Sequence, residues 1–315
     1  MNTCTLLAAA KINLYLEIVG SRPDGFHELV MVMQSVALCD RITITRHRMP
    51  TVQLTCTHPQ VPTDNSNLAL RAATLLSETF PEAASQNGGL AIHIEKNIPV
   101  GAGLAGGSSN AAAALVGIDL LWNLGLTQTE LMRFGAKLGS DVPFSIKGGT
   151  AIATGRGEAL DPIPGCDGLY VVLAKYERLS VSTPWAYKTY RQQFSNTYLD
   201  LSNPATLTER QQRIHSGPMV QAIAEKNGAA VGQYLYNDLE KVVLPAHALV
   251  TELKSAMACG GVGTLMSGSG PTVFTLTETQ AEAERVRDQV RSQLPDPDLK
   301  LWIAPMSTTG LRHQL

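Results

Sequence analysis

The chain lacks the features that would assign it to several broad classes. Its five cysteines (Cys4, Cys39, Cys56, Cys166, Cys259) are odd in number, widely spaced and without a C-x-x-C pair. That argues against a disulfide framework or a zinc site and predicts reduced thiols in a cytoplasmic or plastid-stroma-like compartment. An excess of one charge is missing too: 25 Lys+Arg stand against 27 Asp+Glu. Such a balance exerts no long-range pull on a polyanion, so neither nucleic acid nor a membrane is expected as partner. The longest late apolar run, 111–122, contains Asp119 and is too short to cross a bilayer. The opening MNTCTLLAAAKINL has no basic leader region and is broken by Lys11, so it is not read as a targeting segment. Repeats and low-complexity tracts are absent. What is present is glycine, 27 in 315 residues, and it is clustered. A chain of this length buries roughly 75% of its unfolded surface and exceeds the usual single core, which predicts two domains without staples.

Alternation opens the chain. Ile12, Leu14, Leu16 and Ile18 fall on one side and Lys11, Asn13, Tyr15 and Glu17 on the other, the pattern of a half-buried strand. The turn Pro23-Asp24-Gly25 separates it from a second run over 28–38, and 41–45 alternates again, so the opening is expected to be antiparallel. Helical spacing appears at 67–78, a strand at 90–95, and helices at 108–122 and 127–138, the last with Thr127 as N-cap and Glu130 at the capping-box position. Gly and Pro thicken over 148–164, which sets a boundary near residue 160 and domains of 1–160 and 161–315. Beyond it come a strand (169–174), a polar stretch (191–217), helices near 219–224 and 247–259, a strand at 272–276, a helix at 281–294 and a strand at 299–304. This order predicts an α+β fold whose second half is an antiparallel sheet with helices on one face.

The densest glycine cluster lies between a strand and a helix: Pro99-Val100-Gly101-Ala102-Gly103-Leu104-Ala105-Gly106-Gly107-Ser108-Ser109. Four glycines let backbone N–H groups converge, and a helix N-terminus adds a partial charge of about +0.5, so the stretch reads as an anion cradle. Ser108 and Ser109 offer hydroxyls to a phosphate or its metal, and the alanines at 111–114 let the helix pack closely on a sheet. Gly101-x-Gly103-x-x-Gly106 matches the dinucleotide fingerprint formally, but no strand-ending acidic residue follows at the required distance. Gly101 and Gly106 also have Walker spacing, yet Gly107 stands where lysine belongs. A connection with no ligand is the remaining reading, at about 1 kcal/mol of backbone entropy for each unused glycine.

This stretch resembles the phosphate loop of the GHMP kinase superfamily. AAAKINLYLEIVGSRPDGFHEL near the start and GVGTLMSGSGPTVF late in the chain resemble its other two motifs, in the same order and spacing. With Gly139-Ser140-Asp141-Val142-Pro143-Phe144, the likeness is greatest to members acting on a cytidyl diphosphate-linked methylerythritol; it covers most of 5–155 and 259–276 and is weak over 191–217. The resemblance implies an ATP-binding domain with a left-handed crossover, a ferredoxin-like C-terminal domain, and ATP-dependent phosphorylation of that substrate's 2-hydroxyl on the non-mevalonate route to isoprenoid precursors. It also implies ATP with Mg²⁺, a small-molecule substrate and a monomer or weak homodimer. No acidic pair reads as a dedicated metal site.

Read alone, Asp141 would be the N-cap of a short helix at Val142-Pro143, and Lys11 an exposed strand lysine. The resemblance makes Asp141 the acceptor of the hydroxyl proton and Lys11 its partner, with Asn13 on the substrate. An ordinary carboxylate, with a reference pKa of about 3.9, is too weak to deprotonate an alcohol beforehand and would act late in the transition state. Phe26-His27 alone is a hairpin tip; the resemblance implies a cytosine held by Phe26 and Tyr187 and read by His27, with Thr183 near the diphosphate. Asn67 and Lys96 alone are a helix cap and a surface residue; by resemblance they lie near adenine or ribose, with Gly268, Ser269 and Gly270 beside the phosphates. Two rival functions remain: a homoserine- or mevalonate-type kinase, against which Phe26-His27 speaks, and a nucleotide-binding protein without turnover, which requires that Lys11 and Asp141 not face one another.

Overall fold

The computed structural model describes residues 2–201 and 203–314; the two terminal residues and position 202, within the polar stretch at 191–217, lie outside them. The first half runs β1 (Thr3–Ser21), β2 (His27–His47), β3 (Val52–Cys56), α1 (Leu68–Thr79), α2 (Pro81–Asn87), β4 (Gly89–Glu95), α3 (Gly106–Trp122), α4 (Gln128–Leu138), α5 (Val142–Lys147), β5 (Thr150–Gly155) and β6 (Ala159–Ile163). The second runs β7 (Tyr170–Tyr176), α6 (Thr183–Phe194), α7 (Pro204–His215), α8 (Pro218–Ala224), α9 (Gly228–Gln233), β8 (Tyr236–Asn237), α10 (Glu240–Ala246), α11 (Ala248–Met257), β9 (Gly263–Met266), β10 (Val273–Thr277), α12 (Gln280–Gln293), β11 (Leu299–Ser307) and β12 (Leu311–His313).

The long strand β2 is the spine. It pairs antiparallel with β1 from Ser21↔His27 to Thr3↔Thr45, with β5 along its first half and with β4 along its second. The two runs expected at 28–38 and 41–45 are therefore one strand. The break in alternation between them is a bulge: pairing steps from Ala9↔Cys39 to Ala10↔Val36, so Ala37 and Leu38 are the extra residues. A second bulge corrects the expected face of β1. Pairing passes from Asn13↔Met33 to Tyr15↔Val32, leaving Leu14 unpaired and shifting the phase by one residue. Lys11, Asn13 and Leu16 consequently share the cleft face, whereas Tyr15 packs with Ile12 and Leu14. The strand is also buried on both faces, with Lys11 at 6% and Asn13 at 0% exposure, because the second half of the chain covers the side that alternation alone leaves to solvent.

The sheet order β11-β7-β10-β9 is antiparallel throughout, and with the intervening helices it is the βαββαβ arrangement of a ferredoxin-like half. In the first half β3 and β4 are parallel and joined over α1 and α2. Strand β11 pairs with β7 and, at Met306↔Val36, with β2, so the two halves share hydrogen bonds. The fold is α+β. The alanines at 111–114 are fully buried against Leu6, Ala8, Ala69, Ala72 and Ala73, which lets α3 approach both β1 and α1. The capping box at Thr127 and Glu130 forms as expected. The polar stretch is not plain loop: it holds the end of α6 and all of α7, whose Arg210 forks onto the Glu17 carboxylate of β1 at 2.9 and 2.5 Å. Its low apolar content hid that helix from a periodicity reading.

Candidate active site

A cleft of about 900 Å³ lies between the Gly-rich connection, β1, the β1–β2 hairpin, Asp141 and α6. Every residue nominated above on catalytic, nucleotide or substrate grounds lines it, with two exceptions, Ser109 and Gly270. Lys11 and Asn13 enter from β1, where two-residue spacing ahead of the bulge puts them side by side; the Lys11 Nζ donates to Asn13 Oδ1 at 2.7 Å. The ammonium lies 3.7 Å from Asp141 Oδ2. Asp141 precedes α5, yet its carboxylate makes no cap hydrogen bond, so the helix-cap reading fails and the side chain stays available, 31% exposed, to the cleft. Only its backbone carbonyl serves the helix, accepting from Ser145 N at 3.0 Å.

The Gly-rich connection is tied to both neighbours. Leu104 O accepts from Lys11 N at 3.1 Å and Gly103 O from Ser267 Oγ at 3.1 Å. Gly103 has φ +71, and a Cβ there would stand 2.3 Å from the Ser267 carbonyl, so no side chain fits where the late glycine motif closes over the loop. Gly103→Ala is expected to lower Tm by several degrees and raise KM for ATP at least tenfold, read by thermal melting and initial rates; parent values for both would mean the loop can yield there. Helix α3 begins at Gly106, two residues earlier than expected, and has no side-chain N-cap, so its first N–H groups are left for a ligand at the cleft. Ala105 accepts φ +55 at that transition, strain of about 1 kcal/mol for a residue with a Cβ.

Ser109 corrects one expectation. Its hydroxyl is fully buried and donates to Ala9 O at 2.8 Å, because one residue along a helix turns a side chain by about 100° and carries it from cleft to sheet; Ser108 lines the cleft instead. Lys96 is not a surface residue. Its ammonium is buried and ion-paired with Asp40 Oδ2, which also accepts from Asn110 Nδ2 at 2.7 Å, while Asp40 Oδ1 accepts from Asn97 N and Ile98 N at 2.7 and 2.8 Å. Burial pulls the Lys96 pKa below the ordinary lysine value and the Asp40 charge opposes that pull. Asn67 lines the cleft while capping α1, its Oδ1 accepting from Ala69 N at 2.9 Å and its Nδ2 donating to Pro62 O at 2.7 Å.

At the other end, a tight hairpin (Arg22 N to Phe26 O, 2.9 Å) presents Phe26, 52% exposed, under the Arg156 guanidinium at 5.0 Å from the ring. His27 starts β2 and is buried at 7% exposure, its ring 5.1 Å from that of Tyr187 and edge-on to Tyr198 at 6.1 Å. Burial first, and the Arg191 charge second, push its pKa down to about 4, so the imidazole is neutral at neutral pH. Burial likewise raises the Tyr187 phenol, which stays protonated. The neighbours that rivalled Tyr187 are elsewhere: Tyr190 is in the core and Trp185 packs edge-on to His247 at 5.4 Å. Thr183 Oγ1 and Ser269 Oγ are 2.7 Å apart across the cleft, and Asn237 Nδ2 donates to Met266 O and Gly268 O at 2.8 Å, bracing the late glycine motif.

Sequence reasoning missed Asp40, Asn237 and Arg191. Asp40 had a faint signal, an acid within an apolar strand. Arg191 had a clear one: Thr183, Tyr187 and Arg191 are spaced i, i+4, i+8 and form one stripe on α6, all lining the cleft.

Residues 67–149 match the GHMP kinases N terminal domain and residues 219–296 the GHMP kinases C terminal family. A 4-diphosphocytidyl-2-C-methyl-D-erythritol kinase of Microcystis aeruginosa is 60% identical over 99% of both chains. A crystal structure of 4-(cytidine 5'-diphospho)-2C-methyl-D-erythritol kinase superposes with a TM-score of 0.72 at 31% identity, covering 96% of this chain and 99% of its own. The homoserine kinase of Cytophaga hutchinsonii reaches a TM-score of 0.74 at 17% identity over 100% and 98% of the two chains, a likeness of fold alone. By its two matched domains and its full-length identity, the chain belongs to the GHMP kinases and, within them, to the 4-diphosphocytidyl-2-C-methyl-D-erythritol kinase family.

Proposed function

We propose that the protein transfers the γ-phosphoryl group of ATP to the 2-hydroxyl of 4-diphosphocytidyl-2-C-methyl-D-erythritol, on the non-mevalonate route to isoprenoid precursors. The observation that carries this reading is the Lys11–Asp141 pair, 3.7 Å apart, set between the glycine loop and the His27–Tyr187 end of one cleft. A nucleotide-binding protein without turnover has no use for that pair. A homoserine- or mevalonate-type activity has no use for the aromatic end.

Phosphoryl transfer asks for held phosphates, an aimed hydroxyl and an acceptor for its proton. The loop N–H groups from Gly101 to Ser108 hold the nucleotide phosphates, with Asn67 and Lys96 toward the nucleoside. Asn13 and Thr183 orient the acceptor substrate. As the substrate oxygen bonds to the γ-phosphorus and the bond to the bridging oxygen of ADP breaks, the hydroxyl proton passes to Asp141. The Lys11 ammonium, anchored by Asn13, keeps that carboxylate placed and offsets negative charge on the transferring group. The Ser108 hydroxyl, at the head of α3 and lining the cleft, is the group of this chain that would meet an ion carried in by the phosphates. When bound, Mg²⁺ supplies neutralisation of phosphate charge. The division near residue 160 belongs to the same reading: loop and catalytic pair precede it, while Thr183, Tyr187 and Ser269 follow it.

The direct test is ADP release from ATP, Mg²⁺ and the cytidyl substrate, set against homoserine and mevalonate. His27→Ala is expected to raise KM for the cytidyl substrate about 10–100-fold, the worth of one base contact, and to leave KM for ATP in place. An unaltered cytidyl KM would remove the base from this end of the cleft.

A further inference from the structure

We propose that Arg191 is the positioning residue for base selection: its guanidinium holds the His27 ring in one tautomer, with the proton on Nδ1, and so favours cytosine over uracil. The inference rests on the reading that this cleft takes the cytidyl substrate. Three hydrogen bonds carry it. Arg191 Nε donates to His27 Nε2 at 3.4 Å, and Arg191 Nη2 donates to Gly25 O at 2.8 Å and Phe26 O at 3.5 Å. A guanidinium has five N–H donors, no acceptor, and does not deprotonate in proteins. The ring nitrogen it faces must therefore be the one without a proton. In a neutral imidazole the proton then resides on Nδ1, which no other group takes among the described residues.

That assignment has a chemical consequence. Cytosine N3 is an acceptor, whereas uracil N3 carries a hydrogen. An Nδ1–H donor presented to this edge pairs with cytosine and meets uracil donor to donor. A site built around a buried donor rejects the base that cannot accept, since the mismatch leaves polar groups without partners. The two carbonyl bonds add a second effect: they fasten the hairpin tip to α6, so that Phe26, His27 and the Thr183–Tyr187–Arg191 stripe move as one body. Lysine carries three donors on one compact nitrogen and lacks the planar fork that spans the ring and the two carbonyls together.

The test combines ¹⁵N NMR of the histidine side chains in the full-length enzyme with kinetics on cytidine- and uridine-diphosphate-linked methylerythritol. In the parent protein His27 is expected to show a protonated Nδ1, a bare Nε2 and no titration above about pH 5. Arg191→Met is expected to release the ring toward the Nε2–H tautomer, raise its titration toward the ordinary value of about 6.5, and cut the cytidine-to-uridine ratio of kcat/KM at least tenfold, through KM rather than kcat. Arg191→Lys is expected to fall between the two. A parent enzyme with the proton on Nε2 overturns the proposal without any variant being needed. So does Arg191→Met that shifts the tautomer and leaves the base ratio unchanged. If His27→Ala also leaves the affinity for the cytidyl substrate and the base ratio untouched, the substrate reading itself falls; if His27→Ala weakens that substrate while Arg191→Met changes nothing, only the role of Arg191 does.

Discussion

Asp141→Asn is expected to lower kcat by about 10²–10⁴-fold while ATP affinity, measured by calorimetry, stays at the parent value. The amide keeps the shape of the carboxylate and removes the two properties the proposed chemistry uses, a proton acceptor and a negative partner for Lys11. Loss of folding will not account for the result. Asp141 caps nothing, its side chain is 31% exposed, and Lys11 retains the Asn13 oxygen at 2.7 Å, so no buried group is left without a partner. A variant that turns over within tenfold of the parent would take the proton-acceptor role away from Asp141, and a melting temperature many degrees lower would mean that the residue is structural.

Asp40→Asn is expected to produce the opposite division, a large loss of stability felt first at the loop. Asp40 is fully buried and takes four hydrogen bonds, from the Lys96 ammonium, the Asn110 amide and the backbone N–H groups of Asn97 and Ile98. An asparagine can serve the two backbone groups, but its NH₂ then faces two other donors, one of them charged. Stranding one partner of a buried ion pair costs about 3–5 kcal/mol, which for a chain of this size lowers Tm by roughly 5–15 °C. The double variant Asp40→Asn with Lys96→Met is expected to recover part of that loss, because the uncompensated charge is gone. A double variant less stable than Asp40→Asn alone would contradict this account of the pair. Since Asn97 and Ile98 lead directly into the glycine connection, weaker ATP binding is expected to accompany the lower Tm.

Much of the site was legible because its signals are local. The glycine cluster announces a backbone cradle, the capping box at Thr127 and Glu130 formed as read, and two-residue spacing puts Lys11 and Asn13 together. The same alternation failed two residues later. The Leu14 bulge is set by pairing with β2, and it returns Tyr15 to the core and brings Leu16 to the cleft. Likewise the pause near Cys39 and Asp40 looked like the end of a strand and is a bulge within one. Ser108 and Ser109 are equivalent in composition, yet only Ser108 faces the cleft; what separates them is where Ala9 O lies, about a hundred positions away. Arg191 was within reach, since its four-residue spacing from Tyr187 matches that of Tyr187 from Thr183, but its polar surroundings disguised the helix.

The sequence by itself determined the class of chemistry here: a neutral surface with a local anion cradle, an α+β order of elements, and candidates for acceptor, cation and base contacts. Glycine, proline and capping residues act on the backbone within a few positions, so their meaning survives without a fold. Only the tertiary structure decided which polar groups are consumed internally and which remain for a ligand. Asp40 spends its charge on Lys96, Ser109 its hydroxyl on Ala9, and Arg191 its fork on His27, whereas Asp141 spends nothing on its own helix. Burial and partnership are properties of residues brought together across 56 to 164 positions. The cost of leaving a buried polar group unpaired settles each pairing only once those neighbours are in place.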